Sequence, residues 1–237
     1  MNDGNDNLGF LRQHKGFGFE PGPFDELDYD LAPFAAEAAA EGVTKGEQIW
    51  ENPVRLDQGA EGACVGFGWT GFLNAAPTTH TFDDEYAFGV YHTVTENDEY
   101  PGDWRTGQSG TSVRSGAKEV QRRGFIESYA FTYDVEEMAL WLLNKGPLVI
   151  GVRWLTGMDG PSPDNGYYAL VRGPQRGRHC VVVDQVHWGL GDRNWFGFAN
   201  SWGTRYGDQG RAYFSEKGLR ILMSDPNAVA CTTVEPL

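Results

Sequence analysis

Asp57-Gln58-Gly59-Ala60-Glu61-Gly62-Ala63-Cys64 is the stretch on which the reading of this chain turns. It is a polar, glycine-rich loop. Directly beyond it Val65, Trp69, Phe72, Leu73 and Ala76 recur at helical spacing until Pro77 ends the run. The pattern predicts a buried helix with the Cys64 thiol in its first turn. Unpaired backbone N–H groups and the positive end of the helix dipole converge there, and both favour a thiolate. A catalytic thiol needs that help, because the free group titrates near 8.5 and only the anion attacks. Cys64 as a small buried apolar residue is the plainer alternative, and the polar run before it speaks against that. Gln58, six residues upstream, is either a turn residue or a side-chain N–H donor for an oxyanion.

Two distant islands complete the set. Arg178-His179-Cys180 opens an apolar strand, and Asn200-Ser201-Trp202-Gly203 follows the next one. Thiol, imidazole, orienting carboxamide and amide donor together are the parts of a cysteine hydrolase. His14, His80, His92 and His187 compete for the role of base. His187 lies eight residues along the same strand as His179, roughly 26 Å away at strand rise, so only one of the two can reach the thiol. Asn200 favours His179. Counting back from a hairpin turn near Gly191 sets Val183 opposite Asn200, so His179 requires a register skew or bulge of about four residues. Trp202 is expected to shield the contact from water.

Composition limits the alternatives. At 237 residues, 40% hydrophobic and 14% aromatic, the chain can bury its own core as one domain or as two lobes sharing a cleft. A net charge of −14 argues against nucleic acid and anionic membrane as partners. No apolar run approaches the roughly 20 residues of a membrane helix, and the N-terminus lacks the basic and apolar regions of a secretory signal. Three cysteines cannot form a disulfide framework, which fits a reducing compartment. A cytoplasmic or phage-particle location is expected, and the oligomeric state is unreadable.

Residues 1–46 form a Gly-, Pro- and acid-rich arm with a short helix at Pro33 to Glu41. The domain proper is then 47–237, a helical lobe over about 52–145 and a β-rich lobe over about 146–237. Further helices are predicted after Asp83 or Asp84, after Thr111 or Ser112, and after Asp134; strands are predicted at Leu148 to Val152, Cys180 to His187, Trp195 to Asn200 and Arg211 to Ser215. This order is an α+β class with a groove between two lobes.

From about Asn52 to Ser215 the sequence resembles the papain-like cysteine peptidases, and its lack of disulfides is similar to bacterial and viral members. The resemblance implies a two-lobe fold with a helical left lobe, an antiparallel β-barrel-like right lobe and the site between them. It implies Cys64 as nucleophile, His179 as general base and acid, Asn200 as orienting residue and Gln58 as oxyanion donor. Gly110, Thr111, Ser112 and Val113 look like the family's wall for an extended substrate backbone, with Gly151, Cys180 and Trp202 also lining the substrate site and a modest apolar side chain expected in the pocket. No metal or organic cofactor is implied, and the partner is a polypeptide. Gly18-Phe19-Glu20-Pro21, followed by Asp28 and Asp30, is similar to the N-terminal arm of the bacterial members; Phe24 to Tyr29 either lies in the groove or wraps the second lobe. Val65 replaces the family's aromatic neighbour of the thiol, and Arg178 places a cation beside the histidine. Those two departures fit a non-catalytic binding or particle-associated protein on the same fold. The site chemistry itself also suits a transpeptidase or isopeptidase.

Overall fold

The computed structural model of the protein describes residues 16–22, 25, 28–106 and 109–235. Helices dominate the first half of these residues and strands the second. The helices are α1 (Ala32–Glu41), α2 (Cys64–Asn74), α3 (Asp84–Asn97), α4 (Val113–Arg122), α5 (Val135–Asn144) and α6 (Glu216–Met223). Side chains start most of them. Asp83 accepts from the Tyr86 N–H, Ser112 from Ser115, Asp134 from Glu136 and Glu137, and Ser215 from Gly218. Helix α2 differs: Ala63 stands at its cap and no side chain binds its first N–H groups. They remain available to whatever lies beyond the helix end.

The strands are β1 (Tyr29–Asp30), β2 (Gly46–Ile49), β3 (Tyr129–Thr132), β4 (Leu148–Leu155), β5 (Gln175–Trp188), β6 (Trp195–Ala199), β7 (Arg211–Ser215) and β8 (Val229–Thr233). They form one sheet in the order β1-β3-β8-β4-β5-β6-β7, with β2 paired to β5. Every pairing is antiparallel except β1 with β3. Strand β5 is the spine. Along one edge it pairs with β4 and then β2, and along the other with β6. The molecule is an α+β, papain-like fold of two lobes, α2 to α4 on one side and the sheet with α1, α5 and α6 on the other.

Close packing draws the lobes together at α2. All of its residues are buried, since α3 covers one face and β5 the other. A Cβ on Gly68 would lie 2.7 Å from the Cys180 Sγ, so glycine at that position sets how near the helix comes to β5. One apolar cluster lies under the sheet with α1, α5 and α6; a second fills the space among α2, α4 and strands β4, β5 and β8.

The predicted helices and strands appear at the expected places, with β4 and β5 longer than expected. Strands β1, β2, β3 and β8 carry no usable signal, because they are short and take their character from their partners; helix α6 is missed despite one, a Ser215 cap followed by Leu219, Leu222 and Met223 buried at helical spacing. The chain from Asp28 to Ile49 is woven into the body: β1 pairs with β3, Leu31 and Ala35 of the α1 region are fully buried, and β2 pairs with β5.

Candidate active site

His179 lies on β5 and is fully buried. Its Nε2 is 2.8 Å from the Asn200 Oδ1. That oxygen also accepts from the Ser201 backbone N–H at 2.8 Å, which fixes the amide orientation. The imidazole Nε2 is then the donor, and Nδ1 is the basic nitrogen of the neutral ring. The contact arises from a bulge at Asp184: Val183 pairs with Phe198 and Gln185 with Gly197, leaving Asp184 between them. The bulge shifts the pairing by one residue, so that Asn200 falls opposite Val181 by continuation of the register, two residues short of His179. Asn200 lies past the end of β6 and reaches diagonally along β5 to His179. Asp184 is buried, accepts from the Asn52 Nδ2 at 3.2 Å and pairs with Arg211; burial raises its carboxyl above the usual range.

Aromatic rings enclose the imidazole. Trp202 stacks on it at 4.7 Å and Trp154 meets it edge-on at 4.9 Å. Phe17 meets it edge-on at 5.9 Å. Arg178, next along β5, turns toward Asp225, 3.9 Å away, and Arg153 lies 3.7 Å from the same carboxylate. Arg176 is held by the buried Asp159 at 2.6 Å. The three arginines are thus engaged by carboxylates of the body.

Cys64 sits fully buried at the N-terminus of α2. The backbone N–H groups of Cys180, Gly18, Cys64 and Val65 favour its thiolate, yet burial outweighs them and pushes the thiol up to about 12. The Cys180 contact is informative, because it sets the sulfur beside the residue that follows His179. Gln58 is held from two sides: its Oε1 accepts from the Ser201 Oγ at 2.6 Å, and its backbone N–H donates to the Ser201 carbonyl at 2.9 Å. Its Nε2 donates to the Glu61 carbonyl at 2.6 Å and the Gly16 carbonyl at 3.3 Å.

Gly16 belongs to a segment that runs through the groove. Gly16-Phe17-Gly18-Phe19-Glu20 crosses directly over the Cys64 loop. A Cβ on Gly16 would lie 1.8 Å from the Glu61 carbonyl oxygen, and one on Gly18 would lie 1.7 Å from that of Gly62. The Thr111 N–H donates to the Gly18 carbonyl and the Glu20 N–H to the Thr111 carbonyl, both at 2.9 Å, which is a parallel bridge. Phe19 is almost completely buried, and its ring lies 2.6 Å from where a Gly151 Cβ would stand. The pocket beside Val113 and Gly151 therefore holds a large aromatic ring, whereas the sequence suggests a modest side chain.

The remaining expected residues fall around this segment. Gly110 lies against Glu20 and the Gly18 carbonyl, Thr111 makes the bridge, Ser112 caps α4, and the Val113 carbonyl accepts from the Trp69 Nε1 at 2.9 Å. The Cys180 side chain packs against Gly68 of α2; only its backbone faces the Cys64 sulfur. All three cysteines are free thiols. His80 stacks on Phe82, His92 on Trp104, and His187 pairs with Glu47 at 2.7 Å. His14 lies outside the described residues, as do Phe24, Glu26 and Leu27, whereas Asp28 pairs with Arg114 beside β1. Sequence reasoning overlooks Ser201, Asp184, Trp154 and Phe17. Only Phe17 carries a signal, the period-two alternation of glycine and phenylalanine over residues 16–19. Among the described residues no group of three or more His, Cys, Asp or Glu is placed to hold a metal ion, and no helix is long and apolar enough to cross a membrane.

Neither a protein-family model nor a curated protein matches the sequence. Solved structures do. Xylellain, a cysteine protease from Xylella fastidiosa, is 14% identical, with 94% of this chain and 97% of that one covered, at a TM-score of 0.66. A structure from work on the mite allergens Blo t 1 and Der p 1 is 17% identical, covers 96% and 90%, and has a TM-score of 0.54. The proform of Amb a 11, a ragweed pollen cysteine protease, is 14% identical over 96% and 70%, at 0.53. Identities this low speak to the backbone alone, and on that ground the chain has the papain-like cysteine protease fold.

Proposed function

We propose that the protein is a cysteine peptidase, seen here with its own N-terminal segment in the groove. One observation carries the reading: a sulfur at an uncapped helix N-terminus lies beside the backbone of the His179-Cys180 pair, and that histidine is oriented by Asn200. In this reading the Cys64 thiolate attacks a peptide carbonyl carbon, the C–N bond breaks, and His179 delivers its proton to the leaving amine. The acyl group remains on sulfur as a thioester. Water, deprotonated by His179, then attacks the thioester carbon and releases the acid and the thiol. Gln58 and the first N–H groups of α2 supply hydrogen bonds to the oxyanion in both steps.

The buried imidazole surroundings suit the role. Trp154 and Trp202 keep water from the His179–Asn200 contact, which strengthens it in a low dielectric. Arg178 is turned toward Asp225, so it does not face the ring as an uncompensated cation. The test is turnover of a fluorogenic peptide by protein lacking residues 1–22, against the same protein with Cys64→Ala. Loss of all turnover in the substituted form is expected; equal rates in the two would remove Cys64 as nucleophile and end the reading.

A further inference from the structure

We propose that Asp184 is a positioning residue of the site: its buried carboxylate, through Asn52 on one side and Arg211 on the other, fixes the thiol helix and the Asn200 turn to one point of β5. Under the peptidase reading, on which this rests, that point sets how the sulfur and the imidazole face each other across the cleft.

Alternate residues of β5 face α2. Cys180 packs on Gly68, and a Val182 methyl lies 3.0 Å from where a Gly71 Cβ would stand. Asp184 is third in this row, fully buried, and it bonds where the others pack. Its Oδ2 accepts from the Asn52 Nδ2 at 3.2 Å, and the same Nδ2 donates to the Gly71 carbonyl at 3.2 Å. The helix that carries Cys64 at its first turn is thus tied to β5 near its last turn as well.

The other carboxylate oxygen pairs with Arg211. Arg211 stands opposite Ala199 at the last pair of the β6–β7 ladder, and the Asn200 N–H donates to the carbonyl of Gly210, the residue before it, at 2.9 Å. Arg55 closes the circuit, with Nη1 on the Asn52 carbonyl and Nε on the Gln209 carbonyl at 2.7 Å. Asn200 therefore leaves the sheet at a point held by the same carboxylate that holds α2. Stability does not explain a carboxylate there, since a buried ion pair exchanges for apolar residues of like volume at little loss. Direction does: two oxygens with fixed partners permit one seating of each wall, whereas apolar side chains of the right volume permit several.

Two variants separate position from stability. Asp184→Val with Arg211→Met removes both charges and both ties together. Asn52→Ala cuts only the tie to α2, leaving the ion pair and the Ala75 N–H bond to the Gly71 carbonyl. Each is made in the full-length chain and in its Gly18→Ala form, whose added Cβ would overlap the Gly62 carbonyl and unseat the segment over the cleft. Both are expected to melt near their parents. In the Gly18→Ala form both are expected to hydrolyse a fluorogenic peptide with kcat about 10- to 100-fold lower and KM little changed, the cost of up to about 1 Å of misplacement. In the chain without Gly18→Ala, the His179 Nε2–H bonded to Asn200 should give a sharp downfield proton resonance, absent from Asn200→Ala. It should broaden or vanish in the double variant and persist in Asn52→Ala. A double variant that keeps the resonance, or that has parental kcat at a parental melting temperature, overturns the inference and leaves the peptidase reading standing, as does a kcat that falls only where the melting temperature falls. Turnover that survives Cys64→Ala ends the peptidase reading and this inference with it.

Discussion

The two walls of the cleft hold their reactive groups by different means. On the α2 side the thiol is positioned by backbone alone: an uncapped helix end, a glycine that brings the helix onto β5, and N–H groups around the sulfur. On the β5 side the imidazole itself is held by side chains, with Asn200 bonding it and Trp154 and Trp202 enclosing it. Ser201 joins the walls, because its hydroxyl holds Gln58 while its backbone N–H steadies Asn200. The thiol's protonation therefore answers to what covers it, and the imidazole's orientation answers to its own neighbours. Point substitutions should expose that asymmetry.

The largest effect is expected on the joint between the walls. In a Gly18→Ala background, whose added Cβ would overlap the Gly62 carbonyl and unseat the segment over the cleft, Gln58→Ala should lower kcat by about 100- to 1000-fold, the usual consequence of losing an oxyanion donor, with KM little changed. An unchanged kcat would mean that the α2 N–H groups serve the oxyanion alone. Asn200→Ala should follow at about 100-fold, since a wrongly turned imidazole loses most of its acid–base contribution. Its pH–rate profile should also shift, which a purely structural change would not produce.

The thiol wall is tested by pH. Burial pushes Cys64 up to about 12, so alkylation of the intact chain should climb about tenfold per pH unit well past 8.5 without levelling. The Gly18→Ala chain should level off near or below 8.5. A plateau at the same pH in both would show that the covering segment has no hold on the sulfur. Ser201→Ala comes next, at about a tenfold loss in kcat, because it loosens Gln58 without removing the donor.

The smallest effect concerns stability. Cys64, Cys180 and Cys231 are all fully buried with thiol pKa values raised by burial. The unfolded chain releases these protons above about 8.5 while the folded chain retains them. Stability is thus complete below that pH and declines as pH rises, by at most about 1.4 kcal/mol per unit for each thiol. Melting temperature should fall between pH 9 and 11, and less steeply in Cys231→Ala than in the parent. Parallel slopes would show that this thiol is not what titrates.

The sequence displays the α2 wall more clearly than the β5 wall. Cys64 follows a polar loop and precedes an apolar run, a local pattern with a local cause. His179 and Asn200 are recognisable as types, but their meeting depends on the bulge at Asp184, a buried carboxylate whose partners Asn52 and Arg211 come from remote parts of the chain. Nothing in the residues flanking Asp184 marks it. The same holds for β1, β2 and β8, whose few residues become strands only because a neighbouring edge is open to them. The groove segment is an intermediate case. Its composition suggests an arm, while its destination depends on two pockets built by residues 130 or more positions away, at Gly151 and His179.

The spacing of that arm has a consequence of its own. Residues 16 to 19 alternate, the even positions bare against the carbonyls of Glu61 and Gly62 and the odd positions delivering rings to two separate hollows. Sliding the strand by one residue would press a benzyl group onto a carbonyl and leave both hollows vacant. The fit is therefore digital: a one-residue shift is excluded, and the next seating compatible with the alternation lies two residues away.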